Sequence, residues 1–478
     1  MHFIDYAIFV FYMICMLLFG AYFLRKNKTV DDYFVGGRKM NHWHIGLSVV
    51  ATDVGGGFSI GLGGLGFVMG ISGSWLLFTG LVGAWLSAVV LIPVIAKYND
   101  KYKLLSFPQF LEKRYSKRVS FIAGLVSAIG YLGFTSSQLL AGAKLASSVI
   151  NGLHLQYALI IMGVVAVLYT FAGGIKAVIY TDTIQWIVLL SGLVFIGIPF
   201  AYGEFGGISD MRKVLPENFL SLKNVSWPQL VNWGITIIPI WFIGMTLYQR
   251  IFASKNKKSA QKAWFIAGLF EYPVMAFSGV ILGLYARIAF IEGYFPAYSA
   301  IETFDPEIGV PLLLKTILPV GLTGVILAVY FSAIMSTADS CLMASSGNFL
   351  TDIFKVDHNN PKAIRISQIL TFVIGAVAIL LASQIPNVLE LMLLSYAFMV
   401  SGLFVPVLAA LFMKKLHNTA AIVSIISGGG TTLALIISKA QLPFSLDANV
   451  FGIAISLASF IVVTVILNYT QKLNSIGK

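Results

Sequence analysis

The sequence predicts an all-α integral membrane protein with about 13 transmembrane helices. Three observations carry that expectation. The 478 residues are 58% hydrophobic and 11% charged, too little charge to coat a water-facing domain. Mean hydropathy is +0.86. Apolar stretches long enough to cross a hydrocarbon core of about 30 Å recur along the chain, and they are continuous rather than alternating, which implies helices and not a barrel.

The stretches fall at 5–24, 43–70, 74–98, 119–150, 155–173, 177–202, 229–253, 262–290, 310–350, 364–384, 388–413, 419–438 and 448–468. The first lacks a basic leader and a small-x-small site, so it is expected to be a span and not a cleaved signal peptide. The net charge of +12 does not point to nucleic acid, because most Lys and Arg residues gather in alternate loops. Arg25, Lys26, Lys28, Arg38 and Lys39 open this pattern, and Lys97 to Arg118, Arg250 to Lys262, Lys355 to Arg365, Lys414 and Lys415 continue it. One intervening loop carries Glu292, Glu302, Asp305 and Glu307. The bias puts the N-terminus outside and the C-terminus in the cytoplasm of a cell inner (plasma) membrane. Cys15 and Cys341 both fall in spans, which leaves no disulfide framework. No loop is long enough for a soluble module, so residues 1–478 read as one membrane domain.

Two spans are expected to be interrupted. Ala51-Thr52-Asp53-Val54-Gly55-Gly56-Gly57 sets a carboxylate and three glycines in mid-span. Ile238-Pro239-Ile240-Trp241-Phe242-Ile243-Gly244 adds a proline and a glycine to another. Glycine costs a helix about 1 kcal/mol and proline about 3. Glycine as a packing surface and proline as a simple kink would explain either span alone. Breaks at matching places in two five-helix halves, 43–202 and 229–413, point instead to the inverted repeat of a transporter, with an extra helix at 5–24 and two more at 419–468.

Charged groups inside spans cost about 2.5–3.5 kcal/mol and are functional candidates by default. Asp53, Asp182 and Asp339 sit among small or hydroxylated residues without a basic neighbour in sequence, so each is expected to want a metal ion or a proton. Glu271 and Glu390 lie near expected span ends and should reach the interface; Lys144 and Arg287 either do the same or pair with an acid. The strongest motif is Ala333-Ile334-Met335-Ser336-Thr337-Ala338-Asp339-Ser340. Ser332, Ser336 and Ser340 recur every four residues as a hydroxyl stripe. Hydroxyls and carbonyls are hard donors suited to an alkali ion. The alternative is hydroxyls bonded back to their own helix. Gly61-x-Gly63-x-x-Gly66 matches a dinucleotide fingerprint, but no strand precedes it and small-residue packing explains it better.

At these residues the chain resembles the sodium/solute symporter family, whose members carry sugars, proline, choline, pantothenate or sialic acid. Four pieces carry the resemblance: Asp31 to Arg38, Ala51 to Gly57, Gly173-Gly174 with Tyr180 to Gln185, and Ala333 to Ser340. It implies a five-plus-five inverted repeat with broken first and sixth repeat helices. It also implies a sodium ion held by carbonyls of Ala51, Val54 and Ala333 and hydroxyls of Ser336 and Thr337. A second cation site or a coupling role is implied for Asp182, Asp339, Ser340 and Asp53. Sugar-type members have Asn-Gln-Tyr before the Gln-Arg that matches Gln249-Arg250, where this chain has Gly244 to Tyr248. The triple glycine and Ser-Thr-Ala-Asp-Ser look more like choline-type members, yet Asp53 replaces their aromatic. Phe58, Gln138, Trp241 and Thr246 are the expected substrate-lining residues.

The expected function is sodium-coupled symport of a small organic solute, with Na+ as the coupling ion, the lipid bilayer as solvent, and neither nucleic acid nor an obligatory protein partner. Proton coupling and a transporter-like sensor are the alternatives. An enzyme is not expected, for want of a nucleophile–base constellation.

Overall fold

A computed structural model describes residues 2–24, 34–298, 300–356 and 362–476. Asp31 to Tyr33 of the first loop motif and the side chain of Phe58 lie outside the described residues. Helices dominate. They are α1 (Phe3–Leu24), α2 (His42–Met69), α3 (Trp75–Tyr102), α4 (Lys117–Val149), α5 (Leu155–Gly192), α6 (Trp227–Ile243), α7 (Met245–Ala253), α8 (Lys257–Leu269), α9 (Ala276–Ile291), α10 (Gly309–Ile317), α11 (Leu322–Asn348), α12 (Ala363–Ala382), α13 (Val388–Phe412), α14 (Asn418–Ile437) and α15 (Ala448–Ile476). Among the described residues the sole β-type contact is an isolated bridge between Met40 and Ser254. It ties the start of α2 to the end of α7.

Nine helical stretches among the described residues are long and apolar enough to span a bilayer, or ten if the bent pair α6–α7 counts as one. Phe3–Met16 and Leu155–Leu168 are shorter apolar segments. The expected thirteen is therefore not reached on length and apolarity alone. One reason is continuity of backbone: α5 carries two of the expected spans.

Short polar side chains start several helices. Asn41 accepts from the amides of Trp43 and His44, both at 3.0 Å, and Asn387 accepts from Glu390 at 2.8 Å, satisfying amides that a first helical turn leaves unpaired. Asp5 does the same at long range, accepting from Gly321 and Gly324 at 2.7 and 2.9 Å. This pins α1 to the start of α11.

Helix α11 is the hub. It packs on α2, α4 and α5, and 94% of its most apolar window is buried, against 17% for α15 at the periphery. The motif-bearing helix is thus the one least available to lipid.

Lys144 pairs with acids and does not reach for the interface. Its Nζ lies 2.6 Å from both Asp305 and Glu307, and Glu307 also accepts from the amides of Val388 and Leu389 at 3.0 Å. Glu390 is exposed. Glu271 departs from expectation: it is fully buried. The chain between α8 and α9 is interrupted at 270–275, with Tyr272 extended at φ −138°, ψ 123°. That interruption turns Glu271 into the bundle.

Candidate functional site

Both expected breaks are present. In α2 the helical backbone is interrupted at Gly55, with φ 37° and ψ −158°, a left-handed value that favours glycine. Space requires glycine as well, because a Cβ there would lie 2.5 Å from Thr337 Oγ1 and 2.8 Å from Gln138 Oε1. The second break separates α6 from α7 at Gly244, where the axis bends by 41°; Pro239 remains inside α6.

The Gly55 break is where α2 meets α11. Thr337 donates to the carbonyl of Ala51 at 2.9 Å and lies 3.4 Å from that of Ala333. Ser336 donates to Ala333 at 3.0 Å. All four residues are buried, as is Val54 directly before the break. The structure thus gathers Ala51, Ala333, Ser336 and Thr337 into one dry set of hard oxygen donors, of the chemistry an alkali ion takes.

The four residues of the expected second site go to three different places. Asp182 and Ser340 meet on Arg250, whose Nη2 lies 3.1 Å from Asp182 Oδ2, 2.8 Å from Ser340 Oγ and 2.5 Å from Thr52 Oγ1. Arg250 Nε donates to Ser48 at 3.0 Å, and Ser48 in turn donates to Asp182 at 2.5 Å. This corrects the expectation that Asp182 lacks a basic partner: a guanidinium delivered by the short helix after the second break stands against it. Asp339 instead accepts from the hydroxyl of Thr170, and its Oδ2 has no partner. Asp53 faces Glu271, their carboxyl groups in hydrogen-bond contact.

The hydroxyl stripe of α11 divides in the same way. Ser332 receives a hydrogen bond from Tyr12 of α1, Ser336 serves the Ala333 carbonyl, and Ser340 serves Arg250.

Of the expected lining residues, Gln138 is fully buried and its Oε1 accepts from the amide of Gly56 at 2.7 Å, so it braces the broken helix. Thr246, at the second break, is 3.0 Å from the hydroxyl of Tyr131. Trp241 packs its ring over Gly83 and stands edge-on to Trp264 at 6.4 Å; its indole N–H has no partner. Sequence reasoning missed three residues here. Arg250 sat at a span end beside basic residues of a loop, Glu271 was assigned to the interface, and Tyr131 had no motif to mark it.

A vestibule of about 1120 Å³ opens at the ends of α2, α6, α13 and α14, with Met69, Gln229, Trp233, Glu390 and Ala397 among its walls. The Arg250 network lies toward the opposite ends of those helices.

Comparison with known proteins agrees with this geometry. The chain is 26% identical over 482 residues to a sodium/glucose cotransporter of Vibrio parahaemolyticus, covering 92% of this chain and 87% of that one. It is 27% identical over 472 residues to a high-affinity proline transporter of Bacillus subtilis (strain 168), covering 94% and 96%. Among solved structures, a Na+-coupled sialic acid symporter in a substrate-bound outward-open state superposes with a TM-score of 0.80 at 23% identity, covering 96% of this chain and 97% of that one. Mhp1, a nucleobase-cation-symport-1 family transporter, shares the fold at a TM-score of 0.58 and 14% identity, covering 92% and 95%. The model of the sodium:solute symporter family matches residues 33–428, well over half of the sequence, and the chain belongs to that family.

Proposed function

We propose that this protein couples inward sodium flow to the import of a small organic solute by alternating access. The cation would be held by the carbonyls of Ala51, Val54 and Ala333 and the hydroxyls of Ser336 and Thr337. The observation that carries the reading is the 2.9 Å hydrogen bond from Thr337 to Ala51, made across 286 residues at the break in α2. A hydroxyl that now serves a freed carbonyl can rotate to offer its lone pairs to an ion, and the carbonyl can do likewise. A bound cation would then hold α2 to α11.

The repeats are assigned to 43–202 and 229–413, with 5–24 preceding and 419–468 following them. The charge bias puts the N-terminus outside and the C-terminus in the cytoplasm, so the vestibule faces outward in a plasma membrane. Solute would bind between the two breaks, where Gln138, Thr246 and Trp241 are the lining residues proposed. The Arg250 network would then keep the inner side closed until the repeats rock.

The energetics are sufficient. One inward charge gains about 2.3 kcal/mol per 100 mV, and a tenfold sodium gradient adds about 1.4 kcal/mol. Together these support accumulation by roughly several hundred-fold.

Thermal unfolding of the purified protein in sodium chloride against potassium chloride, at equal ionic strength and pH, tests the site. Sodium should raise the midpoint, and Thr337→Ala should abolish most of that rise. Identical midpoints in the two salts would defeat the proposal.

A further inference from the structure

The Asp53–Glu271 pair is unlike the other buried acids. Asp53 stands on α2 two residues before the break and is 5% exposed, and Glu271 is 0% exposed. Their carboxyl groups touch, yet Asp53 Oδ2 and both oxygens of Glu271 find no donor among the described residues. Helix α3 gives way to them through Gly80, where a Cβ would lie 2.3 Å from Glu271 Oε2.

No cation balances the pair. The titratable groups that face it are Tyr131 on α4, Cys341 on α11 and Tyr396 on α13. Arg250, which bonds Thr52 beside Asp53, is spent on Asp182. Two carboxylates in contact and out of water do not both remain charged unless a cation joins them. Empty, they share a proton; loaded, they can receive a positive charge.

We propose that Asp53 and Glu271 form the anionic half of the solute site and that the solute is a small organic ammonium ion. The inference rests on the reading of the two helix breaks as the transport site. Two further observations favour an organic cation over a second alkali ion. Aromatic rings stand beside the pair: Tyr396 meets Phe134 edge-on at 4.9 Å, and Phe134 lies 6.3 Å from Tyr131. Aromatic faces attract such cations. At the second break the Trp241 indole N–H and both polar atoms of the Gln249 amide are buried without partners, free to bond the remainder of a polar solute. The sodium donors at Ala51, Ala333 and Thr337 make a separate set, so the two cations need not compete. An anionic solute would meet two acids and no free base.

The test is thermal unfolding of the purified full-length protein in sodium chloride. Ethylamine, ethanolamine, putrescine and tetramethylammonium are compared with glucose and lactate. At least one ammonium probe should raise the midpoint while glucose and lactate do not. Asp53→Asn and Glu271→Gln should each raise its half-saturating concentration at least tenfold. Silence from every ammonium probe, or stabilisation by glucose or lactate instead, overturns the proposal in the unaltered protein, whatever the fate of the variants. Unchanged ammonium binding in both variants overturns it too. The sodium reading fails separately, if sodium and potassium chloride alone give the same midpoint.

Discussion

The guanidinium of Arg250 and the carboxylate of Asp182 meet at 3.1 Å with both side chains fully buried. Removing one partner of such a pair strands a charge in a dry core, at about 3–5 kcal/mol. Arg250→Met should therefore unfold the purified protein at markedly lower temperature. Arg250→Met combined with Asp182→Leu should recover more than half of that loss, since two apolar residues leave no orphan charge. A double-mutant cycle by thermal unfolding measures the coupling.

The two hydroxyls of the α11 motif should differ in weight. Ser336 bonds a carbonyl of its own helix, whereas Thr337 reaches across to Ala51. Ser336→Ala and Thr337→Ala should both raise the sodium concentration for half-maximal stabilisation, Thr337→Ala by about tenfold or more, the equivalent of about 1.4 kcal/mol. Thr337→Ser keeps the hydroxyl and should stay within about threefold of the unaltered protein, about 0.7 kcal/mol. Sodium titrations of the unfolding midpoint check the order.

Gly55→Ala should be more damaging than its single methyl group suggests. At φ 37° a side chain is strained, and its Cβ would press to 2.5 Å from Thr337 Oγ1. Strain of this kind costs of order 1–3 kcal/mol, and relieving it would push α2 off α11. Weakened sodium stabilisation is expected. Gly152→Ala is the comparison, because that glycine also has positive φ but has nothing within 4 Å of its Cβ; its sodium response should be normal.

Lys144 touches two acids at the same 2.6 Å, yet they should not matter equally. Glu307 is 4% exposed at its side chain and also caps α13, while Asp305 is 37% exposed. Glu307→Gln breaks a buried pair and should cost about 3 kcal/mol or more. Asp305→Asn loosens a wet contact and should cost less than about 1 kcal/mol. Comparing their unfolding midpoints distinguishes burial from distance as the cause.

What was legible in the sequence is what depends on neighbours along the chain. Hydropathy sums over consecutive residues, so the helical membrane class followed from composition and run length. The triple glycine marked the break at Gly55, and the 333–340 stretch marked the helix that meets it. The boundary between α6 and α7 was legible less sharply, because Pro239 and Gly244 both signalled it and the break falls at Gly244.

The pairing of charges was not legible. Asp182 lies 68 residues from Arg250 and Asp53 lies 218 from Glu271, and no local periodicity links positions so far apart. Hydropathy could place each acid in or near lipid, and it cost the acids alike. Which acid met a guanidinium, which a threonine hydroxyl and which only another acid was decided by helix packing. The sequence by itself determined the class of molecule and where its helices break, because those follow from short-range free energies. Only the tertiary structure decided the electrostatics of the core, because a buried charge is set by whatever the fold brings within about 3–4 Å of it.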